Sequence, residues 1–192
     1  TMGTEDVVLD VVCWMSCSEC EDEPPPPGGD PNFIAQIGAF AGDVDYGMAF
    51  GFSPDATDDY DAGLDQYAPP APPPPAFDAA LAWNGERYYT QIVNGSADDL
   101  VEHEWEIQLQ FSPSNEILLT WDNNGWDDLA TFQLQDAFGG TMINIDMTQE
   151  NSFLVDNPAF TTLKLLVTPS GSSPPPELTD VTFTVIDDGN GY

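Results

Sequence analysis

The chain has 192 residues and sets 34 Asp plus Glu against 2 Lys plus Arg, giving a formal net charge of −32 and a sequence pI of about 4.1. Nucleic acid is excluded as a partner, because affinity there comes mainly from Lys and Arg neutralising phosphates, and an anionic membrane surface is excluded for the same reason. No run of eighteen or more apolar residues exists to span a bilayer, so the expectation is a soluble protein without membrane insertion.

An acidic chain poor in aromatics would point to disorder, but 41% of the residues are hydrophobic and 11% aromatic, with five Trp and eleven Phe. A packed core follows, in one domain of ordinary size with short appendages. Repulsion among the carboxylates must be offset, either by high external salt, which screens it, or by bound divalent cations, which neutralise it. Near-absence of Lys and Arg resembles proteins of salt-loving organisms, and composition alone does not separate the two. The chain opens at Thr1 without an initiator Met or a charged and apolar leader, so a removed leader or a fragment of a longer chain is expected.

Residues 1–31 read as an amino-terminal arm. A strand-like run, Val7–Cys13, is followed by Cys13, Cys17 and Cys20 in the spacing C-x3-C-x2-C and by the proline-rich stretch EDEPPPPGGDP. The cysteine spacing superficially matches the iron–sulfur motif of radical enzymes that use S-adenosylmethionine. That chemistry needs a βα barrel and an aromatic residue before the last Cys, whereas the chain is all-β and Glu19 holds the position. Three thiolates could take zinc, but the single His103 lies far away in sequence as a fourth ligand. In an exported protein one disulfide plus an odd Cys, free or bridging subunits, is the default.

Residues 32–168 read as the body. Apolar residues recur with period two in Tyr46–Phe52, Phe77–Trp83, His103–Phe111, Glu116–Trp121, Ala130–Gln135, Met142–Met147 and Phe160–Val167. Turn signals separate them at Asn84-Gly85, Asn94-Gly95, Asn123-Asn124-Gly125, Gly139-Gly140 and Asp156-Asn157-Pro158, and Asn84-Gly85 predicts a two-residue hairpin. The proline cluster Ala68–Ala76 reads as a surface crossing between strands. No stretch has sustained helical periodicity. The predicted fold is therefore all-β, an antiparallel β-sandwich with Greek-key-like connections and strand-like terminal arms. The second arm, residues 169–192, holds a proline-rich linker and the run Val181–Ile186, in which Val181, Phe183 and Val185 alternate with threonines.

The densest acidic cluster is Asp55, Asp58, Asp59, Asp61 and Asp65, in a glycine-containing loop. Calcium takes six to eight oxygen ligands in flexible geometry, and such a loop supplies carboxylates and backbone carbonyls. A second candidate is DNNGWDD, offering Asp122, Asn124, Asp127 and Asp128. Asp43 with Asp45, and Asp187 with Asp188, are weaker. Asp and Asn also favour turns through local hydrogen bonds, and for any one loop that plainer reading competes.

The string GFSPDATDDYDAGLDQYAPPAPPPPAFDAALAW, ending at Trp83, resembles a recurrent β-sandwich accessory module of large secreted bacterial proteins, often ones exported by the type IX route. The likeness rests on Asp55–Asp58, Gly63–Asp65 and the proline run, with an LTWD pattern matched by Leu119–Asp122, and spans roughly Phe33 to Thr168. It implies an extracellular or cell-surface location and an accessory role, with no catalytic residues to carry over. The cysteine arm is not part of the pattern.

Catalysis is not expected. His103 is the only imidazole, and no nucleophile elbow or oxyanion element accompanies it; carboxylates are too abundant for a paired-acid signal to mean anything. Trp83, Trp105 and Trp121 fall at inward positions, while Trp14, Trp126, Tyr88 and Tyr89 are free to face either way. The expected function is an extracellular structural or adhesive protein that self-assembles by strand exchange into a homo-oligomer or homopolymer, a filament in the boldest form, stabilised by calcium. A carbohydrate-binding accessory module is the rival.

Overall fold

The computed structural model describes residues 30–98 and 100–170. The cysteine triplet, the run Val7–Cys13 and the run Val181–Ile186 lie outside the described residues.

Among the described residues eleven strands and one short helix follow in chain order: β1 Phe33–Ala41, β2 Val44–Ser53, β3 Gln66–Tyr67, β4 Asp78–Trp83, β5 Glu86–Asn94, β6 His103–Gln110, β7 Ile117–Trp121, α1 Trp126–Leu129, β8 Ala130–Asp136, β9 Asn144–Asp146, β10 Ser152–Val155 and β11 Thr162–Pro169. The all-β expectation holds. The strands form one sheet in the order β10-β7-β1-β2-β5-β4-β6-β11-β8-β9, with β3 attached to β5.

Between the described strands the expected purely antiparallel pairing is broken once, at β2 and β5, which run parallel from Ala49↔Thr90 to Ser53↔Asn94. Parallel neighbours need a crossover of a dozen or more residues. The acidic and proline-rich stretch 54–77 supplies it, letting the chain enter β4, turn at Asn84-Gly85 and bring β5 back alongside β2. Asn84 and Gly85 both have positive φ, 51° and 86°, the requirement of a type I′ hairpin, and Trp83 faces Glu86 across it.

β5 also joins the two halves of the sheet. Its first residues, Glu86–Tyr88, pair with β4, and its later ones, Thr90–Asn94, pair with β2. The sheet curls about this hand-over into a half-barrel, so that strands far apart in sheet order meet face to face. Phe33 of β1 packs edge-on against Phe132 of β8 with centroids 5.8 Å apart, and Phe50 of β2 meets Trp105 of β6 at 5.6 Å. Edge-to-face and tilted pairs of this kind add to the stabilisation from burial itself. Trp105, Phe50 and Phe52 are fully buried in this core, as are the alternate residues Leu163, Leu165 and Val167 of β11.

β1 is absent from the strands read off the sequence because its period is blurred. Ala35, Ala39 and Ala41 occupy the inward positions with Phe33 and Ile37, while Ile34 and Phe40 stand outward and exposed. Conversely, only Asn144–Asp146 of the predicted run Met142–Met147 is strand. Among the described residues no helix is long and apolar enough to cross a membrane.

Candidate functional site

The crossing after β2 is organised by its own carboxylates. Asp61 Oδ2 accepts from Thr57, both from the backbone N–H at 2.5 Å and from Oγ1 at 2.9 Å. Asp65 Oδ2 accepts the Asp61 N–H at 2.8 Å, while its Oδ1 accepts the Ile92 N–H of β5 at 2.8 Å. Asp58 Oδ1 accepts the Asn94 N–H at 3.2 Å, and the Asp58 carbonyl accepts Trp83 Nε1 at 2.9 Å. Asp58, Asp61 and Asp65 thus tie the loop to itself and to β5 through the backbone. Asp55 and Asp59 stand exposed, with their N–H groups donating to Ser53 Oγ and Thr57 Oγ1.

In the second acidic turn, Asp122 Oδ1 accepts both the N–H and Nδ2 of Asn124, at 3.2 and 2.6 Å, an Asx-type local closure. Asp127 and Asp128 lie exposed in the first turn of α1. Among the described residues no three or more His, Cys, Asp or Glu side chains converge as a metal-holding group. The loop that spacing singles out for calcium is brought together by the fold, but around backbone donors.

The only two cations of the chain are both engaged. Arg87 pairs with Asp78, which is almost fully buried, and also donates from Nη1 to the Pro69 carbonyl at 2.6 Å. Lys164 lies 2.8 Å from Glu104 across the β11–β6 pair, and that bond raises its pKa. Among the described residues neither cation makes a further ion pair, although Glu106 lies opposite Lys164 in the β11–β6 register. Sequence reading passed over Asp136, which is fully buried at the end of β8. Its Oδ1 accepts the Phe138 N–H at 2.7 Å, and its Oδ2 accepts those of Met142 at 2.7 Å and Ile143 at 2.8 Å. These bonds, that from Ile143 foremost, hold its carboxyl below the ordinary range.

His103 is buried, its Nδ1 2.9 Å from the Val101 carbonyl and its ring edge-on to Phe52. Trp105, Trp121 and Trp126 are buried, and Trp83 packs against Trp105. Of the aromatics exposed among the described residues, Phe40, Tyr60, Tyr67 and Phe138, the two tyrosines are stacked at 4.4 Å and nearly parallel, with Tyr67 stacked in turn on buried Tyr88. Burial, and then the bond to Tyr67, push the Tyr88 phenol up. This is a self-capping pile and not a coplanar row open to a ligand.

Two features of the outer surface remain. Leu154 of β10, Leu118 of β7 and Phe40 of β1 are in one cross-strand row, all exposed, beside the outer edge of β10. Next to it a groove of about 360 Å³ runs over β1, β2 and β5. Gly38 and Gly47, directly opposite each other, lie in its lining, with Gln36, Phe40, Asp45 and Gln66 around them. The outward face of β1 that forms both features is the part sequence reading missed; the exposed Ile34 and Phe40 flanking Gly38 were its only signal. Comparison with family models, with curated proteins and with solved structures finds no match for the chain.

Proposed function

We propose that the protein is an extracellular structural or adhesive subunit that self-assembles by strand addition, with calcium relieving repulsion between acidic copies. The observation that carries the reading is the edge formed by β10. On one side it pairs with β7, and among the described strands it ends the sheet order. Natural edge strands are commonly blunted by charge, proline, bulges or shortness, and β10, four residues long, has only the last of these. β10 reads SFLV, with no charged residue, and its exposed Leu154 continues the apolar row through Leu118 to Phe40.

A strand added at this edge would extend the ladder through its backbone and the apolar row through alternate side chains. The run Val181–Ile186 has that alternation, with Val181, Phe183 and Val185 on one side. Supplied in trans, it would make a heterologous contact that propagates into open polymers unless the rotation closes a ring. Calcium enters between copies, because each brings a large negative charge and both Lys and Arg side chains are already paired within the subunit. The resemblance to secreted β-sandwich modules agrees with the location.

The test is sedimentation velocity and electron microscopy of the full chain in calcium, against Leu154→Lys and against a chain lacking residues 179–192. Both changes should give folded material shifted to monomers or short species. An assembly state unchanged by both would overturn the proposal.

A further inference from the structure

The groove over β1, β2 and β5 has a property that the fold does not require. Gly47 sits inside strand β2 without positive φ, and a Cβ placed there meets no atom within 4 Å. Glycine inside a strand loses conformational entropy and packing, and it often marks a bulge, a tight bend or close approach by a ligand or another backbone; the β1–β2 register is continuous through Gly47, so no bulge accounts for it. Its partner Gly38 is also free of positive φ; a Cβ there would touch the Phe40 ring at 2.7 Å and Thr120 Oγ1 at 3.2 Å. The phenylalanine ring therefore lies against the bare backbone of Gly38, at the side of the groove.

The rest of the lining limits what could enter. Gln36 and Gln66 offer amides, each both donor and acceptor, and Asp45 offers a carboxylate acceptor. Neither Arg87 nor Lys164 lines the groove, and the chain's net charge is −32, so an anionic ligand is repelled. A single carboxylate is too few for calcium, which needs six to eight oxygens. A neutral saccharide fits: its hydroxyls need donors and acceptors together, and its C–H face packs against an aromatic ring. The volume is within the range of small-molecule sites.

We infer that this groove is a binding site for a neutral saccharide, with Gly47 providing room, Phe40, laid over Gly38, an apolar wall, and Gln36, Gln66 and Asp45 the polar contacts. The site would give an adhesive subunit something to adhere to, and it does not depend on the assembly reading.

Isothermal titration of the full chain with neutral cello-, xylo-, malto- and chito-oligosaccharides, and heparin fragments as the anionic control, tests it. At least one neutral series should bind, and heparin should not. Gly47→Val puts a β-branched strand former into the open space; it should weaken that binding at least tenfold with the melting temperature no lower and sedimentation unchanged. If Gly47→Val fails to fold, Phe40→Ala, at an exposed ring, decides by the same criterion. Binding of none of the neutral sugars at millimolar concentration, or binding that the folded variant leaves intact, would overturn the inference. Assembly is read separately by sedimentation, so failure here leaves the strand-addition proposal standing.

Discussion

Asp65 Oδ1 accepts the backbone N–H of Ile92 at 2.8 Å, pinning the acidic crossing to the strand that joins the two halves of the sheet. Ile92 is buried, so without Asp65 its N–H has no water to turn to. Asp65→Ala should therefore cost about 1–3 kcal/mol, the penalty for stranding a buried donor. Urea unfolding would show it as a lower midpoint with an unchanged m-value. A loss below about 0.5 kcal/mol, the scale of ordinary surface changes, would mean that the crossing is held by other contacts.

Calcium follows a different expectation. Since Asp58, Asp61 and Asp65 are spent on backbone donors, the stabilisation proposed for calcium operates between copies. At constant ionic strength the melting temperature should rise with millimolar calcium, and the rise should grow with protein concentration. At a hundredfold excess over the dissociation constant, site binding is worth about 2.7 kcal/mol. An equal response to sodium at matched ionic strength would identify screening of a halophile-like surface instead.

The Arg87–Asp78 pair is largely removed from solvent, with side chains 18% and 5% exposed. Breaking a buried pair by removing one partner leaves an uncompensated charge and costs about 3–5 kcal/mol, whereas replacing both by apolar groups is often near neutral. Arg87→Met should be strongly destabilising, and Arg87→Met with Asp78→Leu should recover much of the loss. A double-mutant cycle on denaturant midpoints measures this, and additive effects of the two changes would show that the pair is not coupled.

The fold was legible where side-chain contrast is strong. His103–Gln110 alternates large apolar with charged or amide residues, and it is β6; Asn84-Gly85 announces its own turn. β1 was hidden because alanines point inward and Ile34 and Phe40 outward, so the groove and the apolar row that depend on its outer face were hidden as well. The parallel β2–β5 pair has no local signature, being set by the route of the crossing. The acidic loop was legible as a cluster but not as a mechanism, because the spacing of carboxylates is the same whether they collect a cation or backbone N–H groups. Asp136 stood alone among polar residues and carried no pattern at all.

Asp136 gives the pH prediction. Three backbone N–H groups converge on its two carboxylate oxygens and favour the ionised form, against a smaller opposing effect of burial, so its pKa in the folded protein lies below the unfolded value. A depressed carboxyl pKa contributes stability that is complete above the unfolded value of about 3.9 and is lost as pH falls through the folded pKa. Asp136→Asn keeps the shape but must turn its amide nitrogen toward one of these donors, because both oxygens are in use. The variant should be less stable than the parent at pH 7, and the gap should narrow as pH falls below about 4, where the unfolded parent takes up the proton while the folded one still holds the carboxylate, until pH passes the folded pKa. Taking the difference between the two proteins cancels the titration of the many other acids, which both share. Parallel stability profiles from pH 7 down to the acid transition would show that the carboxylate charge contributes nothing there and that Asp136 is only a neutral hydrogen-bond acceptor.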